Sequence, residues 1–181
     1  MRLANDMAGP VLSKWTVELF SDAHERTAFS CGKESLDVYL KQYASQNQKK
    51  NVGRTFVAVK PGSVAVMAYY TLSSGSVSFV NLPKDLQKGL PKYPVPVVHM
   101  GRLAVSVNAR GCGLGSIMLF NALKRTVRAS IDLGICGMEV YALDDEAMRF
   151  YLKFGFTELA DDKFHLYLPI KMIQQILLTN P

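Results

Sequence analysis

Between an apolar run at residues 97–107 and a segment of helical periodicity lies Arg110-Gly111-Cys112-Gly113-Leu114-Gly115-Ser116, residue types suited to holding an anion. Glycines let the chain turn with successive N–H groups pointing inward and no side chain in the way. A helix placed behind them adds the positive end of its dipole. The ligand such a cradle serves is a phosphate or pyrophosphate. Tight turns use glycine for other reasons, so the loop alone is a weak signal. It lacks the Gly-Lys-Ser/Thr ending of a P-loop, and a dinucleotide fold expects an acid roughly 20 residues on, after a second strand. Asp132 matches that spacing only loosely and falls at a helix end, which disfavours the dinucleotide reading.

Other reactive residue types are sparse. Cys31, Cys112 and Cys136 are three in number, widely spaced and without a Cys-x-x-Cys pair, so neither a disulfide framework nor a metal site is expected. Scattered thiols in a reducing compartment usually serve as small buried hydrophobes. Cys112, inside the glycine loop, has no base supplied beside it to make it reactive. His99 stands alone before the strand that feeds the loop, where a single histidine is more often a packing residue. Glu139 reads either as a general base or as a solvated strand residue.

The elements that must position these residues are legible from periodicity. Strands are expected at residues 15–20, 55–59, 64–72, 77–80, 97–107, 135–143 and 165–170, with a turn at Pro61-Gly62. Leu36, Tyr39, Leu40, Tyr43 and Ala44 predict a helix over 33–50. Leu119, Leu123, Val127 and Ile131 predict another over 116–133, stopped by Gly134. Asp144, Asp145 and Glu146 open a third, ending near Phe154-Gly155, since acids favour the positive end of the dipole. Residues 81–96 hold four prolines and three lysines and read as a surface loop. Strand–loop–helix units in this order predict a mixed α/β fold with helices packed on a twisted sheet.

With 181 residues there is room for one sizeable domain, preceded by a loose leader over 1–14. No apolar run approaches the roughly 20 residues a membrane span needs, and the first fifteen residues hold no signal-peptide stretch. A cytoplasmic protein without a membrane partner is expected. The net charge of +6 is unevenly spread: residues 38–131 carry thirteen Lys and Arg against one acid, Asp85, while the flanks carry eight bases and fourteen acids. A positive middle between acidic ends fits a face that attracts a polyanion, RNA among them, although solvated helix faces account for some of the bases.

The loop gains specificity from what surrounds it. Val105-x-x-x-x-Arg110-Gly111-x-Gly113-x-Gly115, followed by Asp144-x-x-Ala147-x-x-x-Tyr151-x-x-x-Gly155-Phe156, closely resembles the signature of the GNAT superfamily of acyl-CoA-dependent N-acyltransferases. The resemblance spans about residues 97–156. It implies a single α/β domain over 15–181 whose mostly antiparallel, V-splayed sheet is flanked by helices. It also implies acetyl-CoA as acyl donor, with the backbone of Leu103, Ala104 and Val105 bonded to the pantetheine arm. Arg110, Gly111, Cys112, Gly113, Leu114, Gly115 and Ser116 would form the pyrophosphate loop. Tyr151 would be general acid to the departing thiolate, and a backbone N–H beside a strand bulge around 103–105 would meet the oxyanion. Such roles suit acyl transfer, where an oxyanion forms and sulfur must be protonated as it leaves. Against this, Tyr151 also reads as a core aromatic beside Phe150, Phe154 and Phe156. Asp144 departs from the Asn common in the family, and a general base is left open, because a good fraction of an α-amino acceptor of pKa about 7.7–8.0 is already neutral near physiological pH.

The first half of the chain narrows the resemblance. Phe29-x-Cys31-Gly32, Leu36-x-x-Tyr39-Leu40, Gln46-Asn47, Arg54-Thr55-Phe56-Val57-Ala58, Tyr69-Tyr70-x-Leu72-Ser73-x-Gly75-Ser76-Val77 and Gly101-Arg102-Leu103-Ala104-Val105 are similar to the GNAT toxins of type II toxin–antitoxin systems. That implies acetylation of the α-amino group of aminoacyl-tRNA and arrest of translation. It further implies a ribbon-helix-helix antitoxin and a homodimer. Lys41, Lys49, Lys50, Arg54, Lys84, Lys88, Lys92 and Arg102 are the candidates for contact with tRNA, whose phosphates attract many cations; Arg102 reads equally as a structural charge. The alternatives are an acetyltransferase acting on a protein N-terminus, polyamine or other small amine, and a non-catalytic module that kept the fold.

Overall fold

The computed structural model describes residues 14–179; the leader expected over 1–14 lies outside that range apart from Lys14. Seven strands form one sheet in the order β1-β2-β3-β4-β5-β7-β6: β1 Thr16–Leu19, β2 Arg54–Val59, β3 Ala68–Val77, β4 Val95–Val105, β5 Gly137–Tyr141, β6 Thr157–Glu158 and β7 His165–Pro169. Every neighbouring pair is antiparallel except β4 with β5. That parallel pair is joined over three positions only, Val98–Met100 against Met138–Val140. Beyond Met100, β4 stays with β3 and β5 stays with β7, so the sheet opens into a V.

Both faces of the sheet are covered. Helix α3, Leu114–Ala129, and helix α5, Ile170–Thr179, share a core with one face. In α3 the buried positions Met118, Leu119, Ala122, Leu123 and Thr126 form one stripe, the spacing of an amphipathic helix. They meet Met100, Met138, Val140, Leu166 and Leu168 of the sheet. On the other face, α1 Glu34–Val38 and α2 Ala44–Lys49, joined by a π-helical turn at Tyr39–Tyr43, bury Tyr39, Leu40 and Ala44 against Val57, Val59, Tyr69 and Ala104. Helix α4, Asp145–Lys153, follows β5 at the open end of the V.

Several expectations need correction. The strand expected at 64–72 forms as β3 over Ala68–Val77, and the short strand expected at 77–80 does not form, since only Val77 belongs to β3 and Phe79–Asn81 is a 3₁₀ turn. Gly75 interrupts the sequence signal of β3, as glycine does in a strand. A side chain there would collide with Glu139, whose Oε1 lies 2.6 Å from the position of a Cβ. Helix α3 ends at Ala129 rather than near residue 133, and Ile131 is 79% exposed rather than part of the buried stripe. The helix over 33–50 is broken by its π turn. Helix α5 was not anticipated, although Ile170, Ile173 and Leu177 have helical spacing and pack on the core. The bulge lies at Gly101, not at 103–105: Leu72 pairs with Met100 and Thr71 with Arg102, leaving one residue unmatched.

Candidate functional site

The open V forms a cleft of about 260 Å³. Leu103, Ala104 and Val105 line one wall, Asp144, Phe150 and Tyr151 the other. Past its end, a second hollow of about 230 Å³ is bounded by Arg110, Gly111, Gly113, Leu114, Gly115 and Ser116. Gly111 and Gly113 have φ of +74° and +76°, and a Cβ at either would meet no protein atom within 4 Å. Their backbone is left-handed and their open side is free. Helix α3 starts directly behind, and the first N–H groups of a helix have no partner within it. The loop is therefore built as an anion cradle.

The lining residues differ in what they do. Cys112 is exposed and its thiol donates to the Ala109 carbonyl at 3.0 Å, so it braces the turn. Arg110 lines the cleft, but one of its guanidinium N–H groups donates to the Cys31 carbonyl, pinning the loop to the segment before α1. Asp144 caps α4 by accepting from the Ala147 N–H at 2.9 Å and pairs with Lys33 Nζ, also at 2.9 Å, across the mouth of the cleft. Those bonds to Ala147 and Lys33 hold its carboxyl below the usual range. Its capping oxygen serves as an Asn amide oxygen would.

Tyr151 unites the two readings of its sequence position. Its ring is core, with Phe150 and Phe156 at centroid distances of 5.3 and 5.4 Å, and the residue is 6% exposed. It also lines the cleft opposite Leu103. Burial pushes its pKa up, so the phenol keeps its proton. Among the described residues its hydroxyl takes no hydrogen bond, which leaves it available to a ligand in the cleft.

The basic candidates fall into distinct settings. Lys50, Arg54, Lys84, Lys88 and Lys92 are exposed, the last three on the loop between β3 and β4. Lys49 is exposed but paired with Asp22 at 3.0 Å. Arg54 donates to the Gln48 carbonyl at 3.0 Å. Lys41 is half-buried on the π turn, and Arg102 stacks its guanidinium over the Tyr39 ring at 3.7 Å.

Sequence reasoning missed a polar cluster on the α1–α2 face of the sheet. Glu139 is no solvated residue: it is 6% exposed, with Oε1 3.2 Å from His99 Nδ1 and Oε2 2.6 Å from His165 Nε2. His165 Nδ1 lies 2.9 Å from Asp161. Burial pushes the Glu139 carboxyl up, but the hydrogen bonds from His99 and His165 outweigh it and hold the pKa below the usual value. His99 therefore does more than pack. His99, Glu139 and His165 stand 26 to 66 residues apart in sequence, and only strand pairing makes them neighbours. Among the described residues no cluster of His, Cys, Asp and Glu is arranged to hold a metal ion.

Known proteins share this architecture. Residues 51–158 match the acetyltransferase (GNAT) domain. The chain is 40% identical over 151 residues to the tRNA-acetylating toxin of Mycobacterium tuberculosis, covering 83% of this chain and 89% of that protein. AtaT complexed with acetyl-methionyl-tRNAfMet superposes with a TM-score of 0.84 at 28% identity, over 90% of this chain and 99% of that one. A tyrosine-to-phenylalanine mutant of AtaT, bound to the C-terminus of the antitoxin AtaR and to acetyl-CoA, superposes with a TM-score of 0.78 at 26% identity, over 93% and 99% of the two chains. The V-shaped cleft, the left-handed glycine loop and the buried tyrosine thus occur in a chain that belongs to the GNAT acetyltransferase family, on its toxin branch.

Proposed function

We propose that this enzyme transfers the acetyl group of acetyl-CoA to the α-amino group of an aminoacyl-tRNA, and so halts translation. The observation that carries the reading is the splayed cleft, which joins an anion cradle at one end to Tyr151 and the free backbone edge of β4 at the other. In this reading the pantetheine arm lies along Leu103, Ala104 and Val105, replacing the strand partner that β4 lacks there. The pyrophosphate lies on the N–H groups from Gly111 to Ser116, with Arg110 fixing the loop around it. The amine attacks the thioester carbonyl, a backbone N–H near the Gly101 bulge meets the oxyanion, and Tyr151 gives its proton to the sulfur as the C–S bond breaks.

The acceptor assignment is supported by the basic middle of the chain and by the tRNA-directed relatives. Lys84, Lys88 and Lys92, exposed on one loop, supply the phosphate contacts together with Lys50 and Arg54. Lys49 contributes less, because Asp22 already pairs with it. A ribbon-helix-helix antitoxin and a homodimeric state complete the proposal. No described helix is long and apolar enough to cross a membrane, which agrees with a cytoplasmic site of action.

The test is incubation of the enzyme with labelled acetyl-CoA and charged tRNA at two ionic strengths, with uncharged tRNA as control. Charged tRNA alone should be labelled. Removal of three phosphate contacts in K84A/K88A/K92A should flatten the slope of log affinity against log salt by about 2–3, at roughly 0.9 or less per contact. Acetyl-CoA affinity should stay unchanged. Labelling of a polyamine or peptide in place of charged tRNA would refute the acceptor assignment.

A further inference from the structure

On the sheet face that carries α1 and α2, four titratable side chains form an unbroken line across β4, β5 and β7. Asp161 meets His165 Nδ1, His165 Nε2 meets Glu139 Oε2, and Glu139 Oε1 meets His99 Nδ1. The two ends are open, with the side chains of His99 and Asp161 30% and 34% exposed, whereas Glu139 and His165 between them are 7% and 4% exposed. Gly75 leaves the space that the Glu139 carboxylate fills.

The line has a direction. With Nδ1 facing a carboxylate, the neutral His99 ring places its proton there and its lone pair on Nε2, the tautomer logic of a histidine oriented by an acid. Nε2 takes no hydrogen bond among the described residues. It lies 3.3 Å from the position a Cβ would take on Gly101, the bulged residue of β4. Gly101 and Arg102 floor a small pocket of about 100 Å³ that His99, Tyr39 and Asn47 also line, and the next residue, Leu103, is already in the donor cleft. At roughly 3.3 Å per residue along a strand, pocket and cleft are about 7 Å apart.

We propose that His99 is the general base for the acceptor amine, and that Glu139, His165 and Asp161 are positioning residues that orient it. This rests on the transfer of acetyl to an amine, not on which amine is used. The amine lone pair forms the C–N bond, and the C–S bond breaks with its electrons on sulfur, which takes the Tyr151 proton. The surplus proton on nitrogen passes to His99 Nε2 and from there to solvent, while the phenolate regains one from solvent. His165 faces Glu139 with one ring nitrogen and Asp161 with the other, which fixes the Glu139 carboxylate in place. That carboxylate stabilises the His99 imidazolium as it forms. The other titratable groups around this line are Tyr141, stacked on His165 at 4.0 Å, Asp162 beside it, and Arg102, held over Tyr39.

The experiment is a pH–rate profile for H99Q and E139Q, with acetyl-CoA affinity and thermal stability measured alongside. H99Q should lose about 10²-fold or more in kcat near pH 7, with acetyl-CoA affinity and melting temperature near wild type. Its deficit should shrink as pH rises and solvent base takes the proton. E139Q should move the acidic limb of the profile to lower pH, because the imidazolium loses its counter-charge. A wild-type rate for H99Q, or an equal loss at every pH, overturns the proposal; so does an E139Q profile that is scaled down with its limb unmoved. If E139Q does not fold, the H99Q profile decides alone. Should the wild type acetylate some other amine rather than aminoacyl-tRNA, the same profiles are run with that amine. The acceptor reading then fails while the base assignment is still judged.

Discussion

Replacing Tyr151 with Phe isolates a single hydroxyl group. The ring stays in its contacts with Phe150 and Phe156, and no protein group among the described residues bonds the hydroxyl, so nothing is orphaned by its removal. Stability should therefore change by no more than about 0.5 kcal/mol, which for a chain of this size is about 2 °C or less in Tm. The catalytic consequence is of another order. A positioned proton donor contributes about 10²–10⁴-fold, or about 2.7–5.4 kcal/mol of barrier at 1.36 kcal/mol per decade. Because burial keeps the Tyr151 phenol protonated, the donor is in place at every pH near neutrality. The assay is release of free CoA thiol at saturating acetyl-CoA and charged tRNA, paired with calorimetric acetyl-CoA affinity. The prediction is a fall in kcat of at least 10²-fold, unchanged affinity, and loss of growth arrest on overexpression. A rate within tenfold of wild type would exclude Tyr151 as the proton donor, and a Tm loss of many degrees would show that the hydroxyl is structural.

Gly113→Val should cost about 1–2 kcal/mol of stability through its left-handed backbone and abolish calorimetric acetyl-CoA binding. Gly62→Val is the matched control, since Gly62 also has φ of +77° in open space but lies on the turn between β2 and β3; it should show the stability loss without the binding loss. Asp144→Ala should cost about 1 kcal/mol by removing the cap of α4, lowering Tm by about 2–4 °C. Asp144→Asn keeps the cap oxygen and loses only the pair with Lys33, which solvent screens, so its Tm should stay close to wild type. Equal destabilisation by the two variants would show that the ion pair, not the cap, secures α4.

Local chemistry made part of this enzyme readable from its residues alone. Glycines at 111 and 113 between a strand and a helix favour a left-handed turn, because glycine adopts it without strain. Helical spacing in α3, and acids opening α4, likewise depend on neighbours one turn away. The two motifs that carry the resemblance to the family, 105–115 and 144–156, are legible for the same reason, since each lies within one short stretch. Tertiary structure decided what depends on pairing between distant segments. The bulge at Gly101 exists only as a mismatch between β3 and β4. The V arises because β4 and β5 pair at three positions and then part company. Arg110 finds Cys31, and Lys33 finds Asp144, only when the segment before α1 folds over the cleft. Sequence alone leaves His99 as a packing residue and Glu139 as base or solvated residue, because a strand shows which side a residue faces but not what stands beside it. With β5 between β4 and β7, the carboxylate is shut between two histidines and loses its solvent.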